Sequence, residues 1–219
     1  MISICVPTRG RPAIFKRFCT SILQNAKHPD NVEIISYHDF DDDSPYEYFG
    51  NHKEIVGPRI AVSDMINLCQ KIGTGDIFMF ANDDLVFYTP GWDDIVQKTF
   101  DKMEDKIMFA FPNDNYYRSN HGQCGWMHKN WCDTLGYLVG PHFTSMYWDK
   151  WVNDVADKIN RKLFLRNVVV KHLVVQDDLT HKEYLENKEK DKPLEYYNST
   201  EEVRQEDAQR LQRFINNYS

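Results

Sequence analysis

The alternation of apolar and polar positions divides the chain into two halves of different character. In the first half, short continuous apolar runs alternate with segments of helical periodicity. Ile2 to Val6 reads as a strand, followed by the breaker-rich turn Pro7-Thr8-Arg9-Gly10-Arg11-Pro12. The next segment places Phe15, Phe18, Cys19, Ile22, Leu23 and Ala26 on one helical face, with Pro12 suited to its first turn and Pro29 beyond its end. Val32 to Tyr37 is a second strand. Gly57-Pro58 opens another helix, with Val62, Met65, Ile66, Cys69 and Ile72 facing inward. It leads into Ile77 to Phe80, whose four large apolar residues predict a strand buried on both faces. Trp92, Ile95, Val96, Phe100 and Met103 form a third helix after Pro90-Gly91, and Ile107 to Phe111 a further strand. Strand and helix in this order predict an α/β layer with a mostly parallel sheet.

The second half loses this regularity. Pro112 to Phe143 is rich in Gly, Asn, His and aromatic residues, apart from a helical candidate at Asn130 to Leu135 stopped by Gly136. Long loops of this kind tend to be functional, and this one is placed to form a pocket over the sheet edge. Trp148, Trp151, Val152, Val155, Ala156 and Ile159 then follow at helical spacing, which reads as core. Leu163 to Val175 holds two apolar runs, and Gln176 to Thr200 is strongly charged. Val203, Leu211, Phe214 and Ile215 predict a final amphipathic helix. Residues 1–176 are therefore expected to form one domain, with halves at 1–111 and 112–176, and 177–219 a charged C-terminal extension.

Composition narrows the functional classes. At 219 residues the chain can bury a sizeable core, and 42% apolar with 14% aromatic residues is globular. No stretch approaches a membrane span and no signal peptide opens the chain, so a soluble cytoplasmic protein is expected. Five irregularly spaced cysteines suit a reducing compartment. A net charge of −7 argues against a protein that coats nucleic acid, although Lys158 to Lys171 supplies a local basic face. His121, Cys124, His128 and Cys132 lack the close pairs of a structural zinc site. GxGxxG, GxxxxGK[ST] and GxSxG are all absent, which removes the main support for dinucleotide oxidoreductases, P-loop ATPases and α/β-hydrolases.

The unusual residues collect at the ends of predicted strands, where ligands of open α/β sheets bind. One loop carries Thr8, Arg9 and Arg11. A second, His38 to Ser44, brings four aspartates within seven residues, and a third is Asn82-Asp83-Asp84. Continued strand alternation would set Asn82 and Asp84 on one face and Asp83 on the other. Guanidinium groups beside clustered carboxylates suit a phosphate ester bound through an oxygen-preferring divalent metal. Asp149, in the first turn of its helix, is either a dipole-compensating residue or a base facing the pocket. A histidine in a strand, as His172 is, is a structural residue or a ligand.

In order, ISICVPTRGRP, HDFDDDS, GPRIAVSDMINLCQKIGTGDIFMFANDD and PGWDD resemble the nucleotide-binding half of GT-A fold nucleotide-sugar glycosyltransferases, close to the large family 2 group. LGYLVGPHFTSMYWDKWVNDVADKINRKLFLRNVVVKH resembles the acceptor side of small bacterial and phage-type members. The resemblance implies a Rossmann-like, mostly parallel twisted sheet and a hexosyl- or pentosyltransferase that takes a UDP-sugar with Mn²⁺ or Mg²⁺. Pro7, Thr8 and Arg9 would line the nucleotide site, Arg11 would reach the diphosphate, and Arg59 would lie near the phosphates. Asp41 or a neighbour such as Asp39 would read the base. Asp84 matches the metal-binding carboxylate of the family's Asp-x-Asp motif, beside Asp83, and Asn82 stands where the first Asp usually is. His172 matches a late metal-binding histidine. Asp149 falls at the position of the base of an inverting transfer, with Asp114 in reserve, and Trp126, His128 and His142 are candidates to hold the sugar or acceptor. The acceptor is expected to be a saccharide or a hydroxymethylated pyrimidine of phage DNA. A nucleotidyltransferase and a non-catalytic nucleotide-sugar-binding module are the alternatives.

Overall fold

The computed structural model describes residues 1–173, 182 and 192–218. Eight strands form one sheet in the order β3-β2-β1-β4-β7-β6-β8-β5. Its first half is parallel: β1 (Ile2–Pro7) lies between β2 (Val32–Asp39) and β4 (Ile77–Phe80), with β3 (Asn51–Gly57) outside β2. Beyond β4 the chain reverses. β7 (Gly125–His128) runs antiparallel to β4, and β6 (Phe109–Asn113) pairs antiparallel with β7 and parallel with β8 (Lys162–His172). The short β5 (Leu85–Phe87) closes the order antiparallel to β8.

Apolar runs set the layers. Ile77, Phe78, Met79 and Phe80 are all buried, as expected for a strand covered on both faces. Helices α1 (Pro12–Asn25), α2 (Val62–Ile72) and α3 (Trp92–Asp101) bury one stripe each against the sheet. α4 (Lys129–Leu135) and α5 (Trp148–Lys158) cover the second half. Two further helices, α6 (Pro193–Ser199) and α7 (Glu201–Asn216), end the described chain, and α7 packs on α4 and α5 through Ala208, Leu211 and Ile215. Each large side chain so covered contributes roughly 1.5–3 kcal/mol. Arg204 locks α7 in place: it is buried, donates to Asp154 at 2.6 Å and lies 3.8 Å from the Tyr197 ring centre.

Several boundaries differ from expectation. Gly57-Pro58 does not open a helix; Asn51–Gly57 is an edge strand, and the helix begins at Val62. Its half-exposed, polar pattern carries no continuous apolar run, which is why it escapes periodicity. The strand after α3 starts at Phe109, and β7 lies in a segment that lacks regular spacing. The charged stretch from Gln176, together with Val174 and Val175, lies outside the described residues up to Lys192, Lys182 excepted. Among the described residues, no helix is long and apolar enough to cross a membrane.

Candidate functional site

Parallel pairing aligns the carboxyl ends of β1, β2 and β4, so the three loops that follow them meet at one rim. There they line a cleft of about 770 Å³. Pro7, Thr8, Arg9, Arg11, Asp39, Arg59, Asn82, Asp83, Asp84, Asp149 and His172 all contribute to its wall. Opposite the loops, the wall is Thr144 to Asp149. That segment is stitched to the start of α2: Ser63 N donates to Phe143 O, Ser63 Oγ accepts from Phe143 N, and Asn67 Oδ1 accepts from the amides of Leu138 and Val139. Tyr147, at the head of α5, holds a left-handed φ of 74°, a conformation that costs a non-glycine residue energy and recurs at functional sites.

Asn82, Asp83 and Asp84 after β4 do not continue the strand. Alternation stops at Phe80, and Asp83 and Asp84 form a turn in which Leu85 N donates to Asn82 O. Both carboxylates are buried. Asp83 accepts from Thr8 Oγ1 at 2.7 Å and from Arg11 at 3.0 Å. Burial pushes its carboxyl up to about 6, against the pull of Arg11 and with the Asp84 charge adding to the rise. Asp84 is 3.9 Å from Arg11, and its Oδ1 lies 2.8 Å from His172 Nε2. The two groups form an ion pair when the imidazole is protonated, and the buried Asp84 Oδ1 has no further hydrogen-bond partner.

Sheet register explains why a residue from the end of β8 meets the loop after β4. Leu85 in β5 is the ladder partner of His172, and Leu173 N donates to Asp84 O. Gln123 Oε1 lies 2.9 Å from His172 Nδ1; an amide oxygen only accepts, so Nδ1 carries the proton there. Burial disfavours the imidazolium, but Asp84, with Asp83 and Asp114 farther off, outweighs it and lifts His172 above its ordinary value.

In the second loop the aspartates separate by role. Asp39 is buried, takes Arg9 at 3.0 Å through Oδ2 and leaves Oδ1 without a hydrogen-bond partner. Burial raises its carboxyl despite Arg9. Asp41 is exposed, grips Arg9 with both oxygens and does not line the cleft. Asp42 accepts from Gly10 N and Tyr46 Oη, which ties this loop to the first.

On the far wall, Asp149 Oδ1 accepts from Lys150 N, and Oδ2 lies 2.7 Å from His121 Nε2. Asp114 is outside the cleft wall; its Oδ1 accepts from the amides of Tyr116, Tyr117 and Arg118 and closes a turn. Trp126 is fully buried in the core, His128 caps α4 through its Nδ1, and His142 is exposed against Asp64, so none of the three reaches the cleft. His121, behind Asp149, and Gln123, in the cleft wall beside His172, come from a loop without periodicity, and only the fold brings them there.

Asp84 and His172 form the half-site a divalent cation would use: a buried carboxylate oxygen 2.8 Å from a ring nitrogen suits a mixed oxygen and imidazole shell. Among the described residues, no group of three or more His, Cys, Asp or Glu side chains could hold a metal. Remaining positions would fall to ligand phosphates and water, as for cations that bind together with a phosphorylated substrate.

No protein-family model matches the chain, and neither does any curated protein. Solved structures do match. One is the mannosyltransferase PcManGT from Pyrobaculum calidifontis in complex with GDP-Man and Mn²⁺, with a TM-score of 0.61 and 13% identity over 80% of this chain and 57% of that one. Another is residues 1–349 of S. aureus TarS in complex with UDP-GlcNAc, with a TM-score of 0.60 and 12% identity over 77% of this chain and 57% of that one. The chain thus spans less than two thirds of the length of either protein. What it shares with them is architecture: this mixed α/β layer, with its curled sheet between helices, is the GT-A glycosyltransferase fold.

Proposed function

We propose that the protein is a metal-dependent glycosyltransferase that moves a sugar from a UDP-sugar to an acceptor hydroxyl with inversion. The observation that carries this reading is Asp84: a buried carboxylate oxygen with no partner beyond the His172 ring 2.8 Å away, in a cleft that also gathers Arg11 and Arg59. Leaving such an oxygen unsatisfied is costly unless a ligand completes it. A divalent cation held by Asp84 and His172 would neutralise the departing diphosphate. Complexes of the structural neighbours with GDP-Man and Mn²⁺ and with UDP-GlcNAc support a nucleotide-sugar donor.

The chain's own residues then divide the work. Asp39 Oδ1, a buried acceptor without a hydrogen-bond partner, would accept from an N–H of the base, which suits the single ring N–H of uracil. Arg11 and Arg59 face the phosphates. Asp149 takes the proton of the acceptor hydroxyl as its oxygen attacks the anomeric carbon; the bond from that carbon to the diphosphate oxygen breaks, and its electron pair leaves with the diphosphate. A saccharide acceptor is favoured over DNA because much of the basic face is engaged: Lys158 pairs with Asp154 and Glu201, Arg161 with Asp105, and Lys162 with Asp157. Tyr147 and Trp148 supply aromatic surface on that side.

The test is incubation with UDP-glucose, UDP-N-acetylglucosamine and GDP-mannose, each with Mn²⁺, reading release of nucleoside diphosphate. Release by the wild-type protein that is lost in Asp84→Ala supports the transferase. Tight donor binding without turnover of any donor would instead identify a nucleotide-sugar-binding module.

A further inference from the structure

Behind the cleft wall, the segment from His121 to Gly122 is fastened to α5 by one buried side chain. Asn153 Oδ1 accepts from Gly122 N at 3.0 Å, and its Nδ2 donates to Gly122 O at 2.9 Å and to Asp149 O at 2.8 Å. The clamp leaves no freedom along the helix: Asn153 is one turn beyond Asp149, so fixing Gly122 to it fixes the preceding residue beside Asp149. Position 122 also admits only glycine, since an added Cβ would meet Phe111 at 2.7 Å. His121 accordingly approaches Asp149 with Nε2 at 2.7 Å, and its other side packs edge-on against Tyr117 with ring centres 5.4 Å apart.

We infer that His121 is the positioning residue of Asp149. Its Nε2–H donates to Asp149 Oδ2 while Lys150 N holds Oδ1, so the carboxylate is presented to the cleft in one orientation. His121 itself does not line the cleft, whereas Asp149 does. The imidazole acts on the acceptor only through the carboxylate, and the proton taken from the acceptor ends on Asp149. The inference rests on the transferase reading, because it presumes that Asp149 is the base. Reactive geometry is steep in this respect: a misplacement of about 1 Å can cost about 100-fold in rate.

Two substitutions separate positioning from packing. His121→Phe keeps a ring against Tyr117 and removes the donor, and His121→Gln restores an N–H. With the donor that the wild-type protein turns over, kcat for nucleoside diphosphate release falls about 10- to 100-fold in His121→Phe with donor KM unchanged, and His121→Gln recovers most of the loss. Equal rates for all three proteins, or equal losses in both variants, overturn the inference and leave the transferase reading standing. A second measurement does not depend on turnover: the imidazole ¹⁵N spectrum of the wild-type protein shows His121 protonated at Nε2, with that resonance moving in Asp149→Asn. An Nε2 without a proton overturns the inference. A protein with this signature that turns over no donor overturns the transferase reading instead.

Discussion

Two carboxylates are buried in one sheet at opposite ends of its parallel strands, and they are satisfied in opposite ways. Glu33, near the start of β2, accepts from Ser3 Oγ, Thr74 N, Thr74 Oγ1 and Gly75 N, and Lys53 Nζ sits 2.8 Å away. Asp84, past the end of β4, has one oxygen with no hydrogen bond and another carboxylate, Asp83, beside it in sequence. A buried charge costs several kcal/mol unless paired and hydrogen-bonded. At Glu33 the fold offsets that cost from within, so the group ties β1, β2, β3 and the entry to β4 together. At Asp84 the offset is incomplete, and the shortfall is what a bound ion and its phosphates would supply. Degree of satisfaction, not burial, separates the scaffold end of the sheet from the end proposed to be reactive.

The largest expected effect breaks this contrast at the reactive end. Asp84→Asn keeps the side chain's size and removes its charge. Nucleoside diphosphate release falls on the order of 10³-fold, about 4 kcal/mol of barrier. The thermal midpoint falls less than in Glu33→Gln, because the repulsion of Asp83 is removed together with the pairing to His172. Added Mn²⁺ raises the midpoint of the wild-type protein and leaves that of the variant unmoved, since an ion that binds only the folded state stabilises it by mass action. A variant that melts well below the wild type would place Asp84 among the scaffold groups.

Glu33→Gln is the converse and comes next in size. Removing one partner of a buried ion pair costs about 3 kcal/mol, so the midpoint drops by roughly 10 °C while kcat and donor KM at 20 °C stay as in the wild type. Burial alone would raise this carboxyl, but Lys53, Ser3 and Thr74 outweigh it and hold it below the ordinary value of 4.5. A carboxyl lowered by folding stabilises above that value, and its contribution is lost as pH falls through the lower, folded value. Urea midpoints between pH 5 and 3 therefore decline steeply in the wild type and less so in Glu33→Gln. Loss of activity without loss of stability would overturn the assignment.

Much of this was legible in the sequence, for identifiable reasons. The continuous apolar run Ile77 to Phe80 marks the central strand, and the abrupt change to Asn82-Asp83-Asp84 marks its exposed end, because buried strands tolerate no such residues unaided. Parallel topology then brings Arg11 and Asp39 to the same rim without any knowledge of contacts. What escaped was set by long-range register or by polar edges. β3 is polar because only one of its edges is paired, so no apolar run announces it. Asp39 and Asp41 are indistinguishable in sequence, and burial alone reveals that Asp39 keeps an unpartnered oxygen while Asp41 is spent on Arg9. His121 reaches Asp149 only through the Asn153 clamp, which joins positions 31 residues apart.

The smallest expected effect concerns the edge strand that periodicity missed. His52 in β3 shares Ser36 Oγ with His38, at 2.9 and 2.6 Å, and stacks on Tyr48 with ring centres 4.2 Å apart. Burial, helped by His38 and opposed by Glu54, pushes His52 down to about 4 from an ordinary 6.5. A histidine lowered by folding is neutral in the folded chain and charged in the unfolded one between these values. Its contribution is thus complete above pH 6.5 and lost as pH falls toward 4. That window opens above the one in which Glu33 acts, so the decline above pH 5 reports the histidines before Glu33 contributes. His52→Gln flattens the decline between pH 6.5 and 4.5 only in part, since burial lowers His38 as well and it remains. Because this strand holds the segment that follows Asp39 to Asp43, donor KM should rise over the same window in the wild type and less in the variant. A stability curve unchanged in His52→Gln would assign the acid sensitivity of this half of the sheet to Glu33 and the remaining histidine.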